Sequence, residues 1–328
     1  MNIKINWGIL STATIATEHV IPAMMNSSHS SIKAIASRSF NKAKTVAKQF
    51  NIPKFHGSYD ELLDDDEIEA IYIPLPNHLH VEWAIKCLEA GKHVLVEKPI
   101  ALTSVDAQKL LDESQKYPHL KIMEAFMYKH HPQWIKAKEL VANGAIGKVK
   151  TIQSSFSFFE DDPNSIVNNK KLGGGSLMDI GCYPISLSRF IFNSEPEKVF
   201  GSIEYHPEFE VDSVATAILK FKDGTSSFFS SIQLEEKQQA KVFGTEGIIE
   251  FELPFNPIAN KASKIFLHKD DKIKEIIFEP CDQYTVQADL FSLAIINDTE
   301  VPTPLQDAVN NMKVIERIIE SDKLGRSV

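Results

Sequence analysis

In its first hundred residues the chain alternates four times between a short apolar run and a segment of helical periodicity, and this constrains the fold more than any other feature. The apolar runs are Ile3–Leu10, Ser31–Ala36, Ile68–Ile73 and His93–Val96, the last followed at once by Glu97-Lys98-Pro99. None shows the in-out alternation of a half-solvated strand, and the connections are short. Such a pattern builds a parallel sheet covered by helices. Helices are expected over Asn41–Phe50, Asp60–Asp66, Val81–Ala90 and, capped by Thr103, Ala101–Ser114. The acidic run 60–66 reads as a solvated face. A further strand is expected at Lys121–Phe126 and a helix at Trp134–Ala142.

Beyond about Gly147 the texture changes. Val149–Phe159, Lys198–Tyr205, Val214–Phe221, Thr225–Leu234 and Gly247–Glu252 alternate in the manner of antiparallel strands with one packed face. Lys222-Asp223-Gly224 and Gly244-Thr245-Glu246-Gly247 read as hairpin turns. Two terminal helices are expected at Tyr284–Ile296 and Leu305–Ile319. A chain of 328 residues accommodates two domains, placed here at 1–122 and 123–328.

The ends of the parallel strands are where a ligand binds in such a sheet. After Ile3–Leu10, with Gly8 near its end, Ser11-Thr12-Ala13-Thr14-Ile15-Ala16 leads into a helix. A strand, a turn of small residues and a helix N-terminus together cradle a pyrophosphate. Ser11, Ala13 and Ala16 stand where glycines are usual, so an ordinary tight turn remains open. The second strand ends in Ser37-Arg38-Ser39, with no acid to accept from ribose hydroxyls. A hydroxyl and a guanidinium suit a 2′-phosphate, which points to NADP(H) ahead of NAD(H). The third strand opens into Pro74-Leu75-Pro76-Asn77-His78-Leu79-His80; Asn77 reads as a helix cap, and Pro74, Leu75, Asn77 and His80 are candidate cofactor contacts. His78 and His80 lack a third metal ligand, so no metal is expected. Glu97 reads as an anchor of its strand end, and Lys98 as a group placed for chemistry.

A second cluster is Gly173-Gly174-Gly175-Ser176-Leu177-Met178-Asp179-Ile180-Gly181-Cys182-Tyr183. Three glycines admit a close approach of something to the backbone. Asp179 and Tyr183 are one helical turn apart. A tyrosine acting with a lysine is an acid/base pair suited to interconverting a carbonyl and an alcohol. The competing reading is a glycine-rich loop and a buried Tyr183.

Glu97-Lys98-Pro99 and Gly173-Gly174-Gly175…Asp179-Ile180-Gly181-Cys182-Tyr183 carry a family resemblance. Glu124-Ala125-Phe126-Met127-Tyr128-Lys129-His130-His131-Pro132 and the Asn77…His80 loop support it. Over nearly its whole length the chain resembles the glucose-fructose oxidoreductase / inositol dehydrogenase / rhizopine-catabolism superfamily. Tyr183, where many sugar dehydrogenases carry histidine, resembles the branch of dihydrodiol dehydrogenases and NADP-xylose dehydrogenases. The resemblance implies an α/β chain: an N-terminal Rossmann dinucleotide-binding domain, then a C-terminal α+β domain with an open-faced, mostly antiparallel sheet. It implies NADP(H), no metal, and hydride exchange with a sugar or polyol. The catalytic candidates are Lys98, Tyr183 and Asp179, with Phe126 and Tyr128 on the substrate side, and the lysine is followed by a proline commonly in a cis peptide. Ser186 stands where an asparagine is often found. The alternatives are a trans-dihydrodiol dehydrogenase or dicarbonyl reductase, and an NADP-binding regulator without turnover.

The formal net charge of -9 argues against nucleic-acid and anionic-membrane partners. Cys87, Cys182 and Cys281 show no metal or disulfide spacing. No apolar run reaches membrane-spanning length, and no basic leader precedes the first strand. A cytoplasmic location and a homodimer or homotetramer assembled through the open sheet are expected.

Overall fold

The computed structural model describes residues 3–328, which divide into two units. One runs to Met127 and takes in Asp282–Val309; the other comprises Tyr128–Cys281 and Asn310–Val328. The first unit begins with β1 (Ile5–Leu10), then a π-helical turn (Ala16–Val20) and α1 (Ile21–Met25). Pro22 falls in the first turn of α1, where its missing N–H costs little. β2 (Ser30–Ala36), α2 (Phe40–Phe50), β3 (Lys54–His56), α3 (Tyr59–Leu63) and β4 (Ala70–Ile73) follow. Then come α4 (His80–Glu89), β5 (His93–Val96), α5 (Ser104–Ser114) and β6 (Ile122–Glu124). All pairings are parallel, in the order β3-β2-β1-β4-β5-β6.

The local signals explain most boundaries. Thr103 caps α5, its hydroxyl accepting from Asp106 N–H at 3.0 Å. Gly91 follows α4 at φ +73°, the left-handed turn that frees the chain for β5. Two expectations change. Asn77 opens a 3-10 turn (Asn77–Leu79), and α4 begins only after it, at His80. The acidic run is not wholly solvated, because Asp65 accepts from Lys54 at 3.0 Å and its side chain is only 8% exposed.

The second unit contains α6 (Pro132–Ala142), β7 (Val149–Phe159), a π-helical turn (Leu177–Gly181) and α7 (Cys182–Phe192). Strands β8 (Lys198–Tyr205), β9 (Asp212–Lys220), β10 (Thr225–Ser231) and β11 (Gln233–Gly244) follow. The sheet is completed by β12 (Ile248–Phe251), β13 (Ser263–Lys269) and β14 (Lys272–Phe278). Its order is β14-β13-β12-β11-β7-β10-β9-β8, antiparallel except where β10 meets β7. Both anticipated turns close hairpins: Phe221 N–H bonds to Gly224 O, and Gly244 N–H to Gly247 O. The chain ends with α8 (Gln283–Ile296) and α9 (Leu305–Leu324).

α8 belongs to the first unit. Phe291 packs on Trp7 with ring centroids 5.6 Å apart, and Trp7 Nε1–H donates to Ser292 Oγ at 3.2 Å. The second unit is built on rings. Trp134 stacks on Phe251 at 3.8 Å and donates to Pro254 O at 2.6 Å. Truncating such a ring to alanine costs about 3–5 kcal/mol.

Burial holds His80, His93, His130 and His131 down to about 4, below their ordinary 6.5. The unfolded chain therefore takes up protons first, and stability present above pH 6.5 is lost as pH falls toward 4. Thermal melts followed by circular dichroism are expected to show Tm falling steadily over that window.

Candidate active site

The strand ends of the first unit carry most of the anticipated cofactor residues. β1 delivers Ser11, Thr12, Ala13, Thr14 and Ile15, with the chain helical from residue 14. The first turn of that helix leaves backbone amides without intrahelical partners. Ser11 adopts φ +154°, a backbone setting that glycine reaches more readily. Gly8 lies inside β1, and a Cβ there would sit 2.8 Å from Ile71 Cδ1 and 3.1 Å from both Ile68 Cγ2 and Leu62 Cδ1. Packing against α3 and β4 thus accounts for this glycine. Gly8→Ala is expected to cost about 1–3 kcal/mol of stability, read as a lower Tm, with NADPH affinity of the folded protein kept.

β2 ends in Ser37, which is buried, and Arg38, which is exposed. Ser37 Oγ accepts from Ser39 N–H at 3.2 Å, which turns the chain outward after the strand. Arg38 has no side-chain partner among the described residues, so its guanidinium remains available for an anion.

Lys98 follows β5, and its backbone segment is held at three points. Its own N–H donates to Glu97 Oε2 at 3.2 Å, and Glu97 Oε1 accepts from Tyr72 Oη–H at 2.6 Å. Glu97 is therefore the anchor that its position implied. The Lys98–Pro99 peptide is cis. Pro99 O lies 2.8 Å from His80 Nδ1, while His80 Nε2 lies 2.7 Å from Leu75 O. Ile100 N–H donates to Glu124 Oε1 at 2.7 Å. His80 is wholly buried, so its place is to tie the Pro74–Leu75 loop to the lysine segment. Burial pushes its imidazole down to about 4, while the two carbonyl oxygens oppose this because only the imidazolium donates to both.

Two residues beside Lys98 escaped the sequence reading. Glu124, 2% exposed, ends β6 and holds Ile100. Burial pushes the phenol of Tyr284, at the start of α8, above its usual range; the charge of Glu97 adds to this and that of Lys98 opposes it. Glu124 opens one of the stretches that support the resemblance but takes no role there, and no local motif marks Tyr284, because each acquires its neighbour only through the sheet or the returning helix.

The second unit holds Asp179 and Tyr183. Asp179 lies in the π-helical turn and Tyr183 in the first turn of α7. Tyr183 is 4% exposed and touches three rings: Phe255 at 5.4 Å, Phe156 at 5.5 Å and Tyr128 at 5.8 Å between centroids. Tyr128 is fully buried, and its hydroxyl donates to Ser186 Oγ at 2.9 Å. The serine in the usual asparagine position thus serves to hold Tyr128. Phe126, in the first unit, is 1% exposed. Both Phe126 and Tyr128 lie in the packed interior.

No group of three or more His, Cys, Asp or Glu side chains among the described residues is arranged to hold a metal ion. No helix among the described residues is long and apolar enough to cross a membrane.

Residues 5–125 match the family model of oxidoreductases with an NAD-binding Rossmann fold, and residues 134–250 match the GFO/IDH/MocA C-terminal domain. An uncharacterized oxidoreductase of Rhizobium meliloti is 42% identical, over 98% of each chain. A D-xylose 1-dehydrogenase (NADP(+)) of Haloferax volcanii is 35% identical, again over 98% of each. The crystal structure of a 3-ketoreductase from Actinomadura kijaniata, in complex with NADP and TDP-benzene, superposes with a TM-score of 0.91. It is 26% identical and covers 97% of this chain and 98% of its own. On the paired sheets, the clamped Glu97-Lys98-Pro99 segment and these matches, the chain belongs to the GFO/IDH/MocA family of oxidoreductases.

Proposed function

We propose that this oxidoreductase transfers hydride between NADP(H) and a carbonyl or secondary alcohol of a sugar or related polyol. The observation that carries the reading is Lys98, fixed by Glu97, His80 and Glu124 at the carboxyl edge of the parallel sheet. The Haloferax relative, named for D-xylose and NADP, supports the cofactor and substrate class. The bound cofactor supplies the hydride donor or acceptor, and the protein supplies placement and proton handling.

The residues present fit a phosphorylated dinucleotide. The β1 turn presents hydroxyls of Ser11, Thr12 and Thr14 beside a helix N-terminus. Ser37 and the unpartnered Arg38 suit a 2′-phosphate. Lys98 offers a positive charge and three donors to a substrate oxygen. Tyr183 gives a proton to the carbonyl oxygen in reduction and takes one up in oxidation. Asp179 accepts from substrate hydroxyls.

Arg38→Ala is expected to weaken NADPH binding by about 10–100-fold, the loss of one charge-assisted contact of about 1.5–3 kcal/mol. NADH binding should stay within twofold. Titration of both cofactors by nicotinamide fluorescence checks this, and equal losses for the two would remove the role given to Arg38. A panel of aldoses, polyols, keto sugars and dihydrodiols, followed at the nicotinamide absorbance, tests the substrate class.

A second copy of this chain is the proposed cover for the outer face of the large sheet. The register aligns Phe200, Ile218, Ser227, Gln153, Lys241 and Glu250 across six strands. Phe200 is 42% and Ile218 47% exposed there. An apolar edge beside a polar field matches the anatomy of subunit interfaces.

A further inference from the structure

The three glycines before Asp179 have a structural purpose that the catalytic reading did not use. Gly175 takes φ +109°, and a Cβ on it would fall inside the carboxylate of Asp212, at the start of β9. A Cβ on Gly174 would meet the carbonyl oxygens of Ile166 and Val167. What approaches the glycines is therefore the protein itself. Asp212 Oδ2 accepts from Leu177 N–H at 2.6 Å and from Ser176 Oγ–H at 2.9 Å. Burial pushes the Asp212 carboxyl up to about 6, and the hydrogen bonds from Leu177 N–H, Ser176 Oγ–H and the N–H groups of Asp212 and Ser176 oppose that rise. Ser176, fully buried, lies 3.1 Å from Ser230 Oγ on β10. Gly181 packs on the same Ser230, where a Cβ would lie 2.8 Å from its Oγ. Asp179 N–H then bonds to Gly175 O at 3.1 Å, which links the clamped turn to the acid.

We infer that Asp212 is a positioning residue: its carboxylate clamps the Gly175–Leu177 turn and so sets where Asp179 and Tyr183 are presented. The inference rests on the reading of Asp179 and Tyr183 as site residues. Leu177 N–H and Ser176 Oγ–H converge on Oδ2, the backbone N–H groups of Ser176 and Asp212 act on the same carboxylate, and a carboxylate has acceptor sites for all of them. An amide of the same shape has a single acceptor oxygen and turns an NH2 group toward the remaining donors. Asp212→Asn therefore loosens the turn without changing side-chain volume. Tyr205 on β8 lies in the field of Asp212: burial, then Asp322 and Asp212, raise its phenol.

The test is 19F NMR of protein labelled with 3-fluorotyrosine, which gives one line for each of the seven tyrosines. Tyr183→Phe assigns the Tyr183 line. In Asp212→Asn that line should shift by more than its width, while the lines of Tyr59, Tyr72, Tyr117 and Tyr284 in the first unit stay in place. NADPH affinity should remain within twofold. A Tyr183 line at its wild-type position in the folded variant overturns the inference. So does a displacement of all seven lines together with weakened NADPH binding, which marks a general structural role. Where Asp212→Asn does not fold, Ser176→Ala removes one donor only; it should move the Tyr183 line in the folded protein, and an unmoved line is equally fatal. A shifted line combined with full turnover of Tyr183→Phe keeps the clamp and removes the proton-handling role of Tyr183.

Discussion

Lys98→Met should lower turnover by about 10²–10⁴-fold, the range for loss of a positioned acid/base group, while NADPH still binds within a few-fold of wild type. The expectation follows from how Lys98 is held. Its backbone is fixed through its own N–H, the Pro99 carbonyl and the Ile100 N–H, and each of these uses a side chain other than Lys98. Methionine keeps the length and apolar stem but removes the charge and all three donors. The clamp therefore survives, and the loss should appear in kcat rather than in Tm. Steady-state kinetics beside NADPH fluorescence titration separate the two. Full turnover with cofactor bound would take Lys98 out of the chemistry.

Tyr183→Phe should also reduce turnover by about 10²–10⁴-fold. The substitution removes one oxygen from a ring packed among Phe255, Phe156 and Tyr128 and leaves those contacts intact. Stability should change little, so the effect is confined to proton transfer. The pH profile of kcat carries a second signature. If the phenol handles the proton, the basic limb of the wild-type profile disappears in the variant. Unchanged kcat at every pH would return Tyr183 to a purely packing role.

Much of the parallel half of the fold was legible because strands such as β4 and β5 are bare apolar runs and several helices carry a start or stop signal. Thr103 and Gly91 are examples, and both act where the sequence places them. The other sheet was harder. β10 and β11 meet at Ser231–Gln233 with no glycine or proline between them, so the two read as one strand to Leu234. β11 then continues through Glu235, Glu236, Lys237, Gln238 and Gln239, a polar stretch that carries no apolar alternation. β13 and β14 were missed, and β14 is exposed along much of its length. α8 reads as an ordinary terminal helix; contacts across more than 260 positions, such as Trp7–Phe291 and Ser27–Asp289, assign it to the first unit.

The same distinction runs through the candidate site. Glu97, Lys98 and Pro99 are neighbours in sequence and could be singled out together. Glu124, Tyr284 and Asp212 reach their partners across 24 positions or more, through strand pairing or helix return. His80 is legible as part of a loop at the sheet edge; its place between the carbonyl oxygens of Leu75 and Pro99 is not, because Pro99 meets it only across 19 positions.

The central claim is hydride transfer between NADP(H) and a sugar carbon. Incubation of the protein with NADPH deuterated at C4, on either face in turn, and a panel of keto sugars tests it most directly, with the products read by mass spectrometry. The account predicts a single deuterium on the new carbinol carbon of one sugar class, from one face of the nicotinamide only, delivered at least about a hundredfold more slowly by Lys98→Met. NADPH bound tightly with no deuterium delivered to any sugar, dicarbonyl or diol-derived ketone would contradict it.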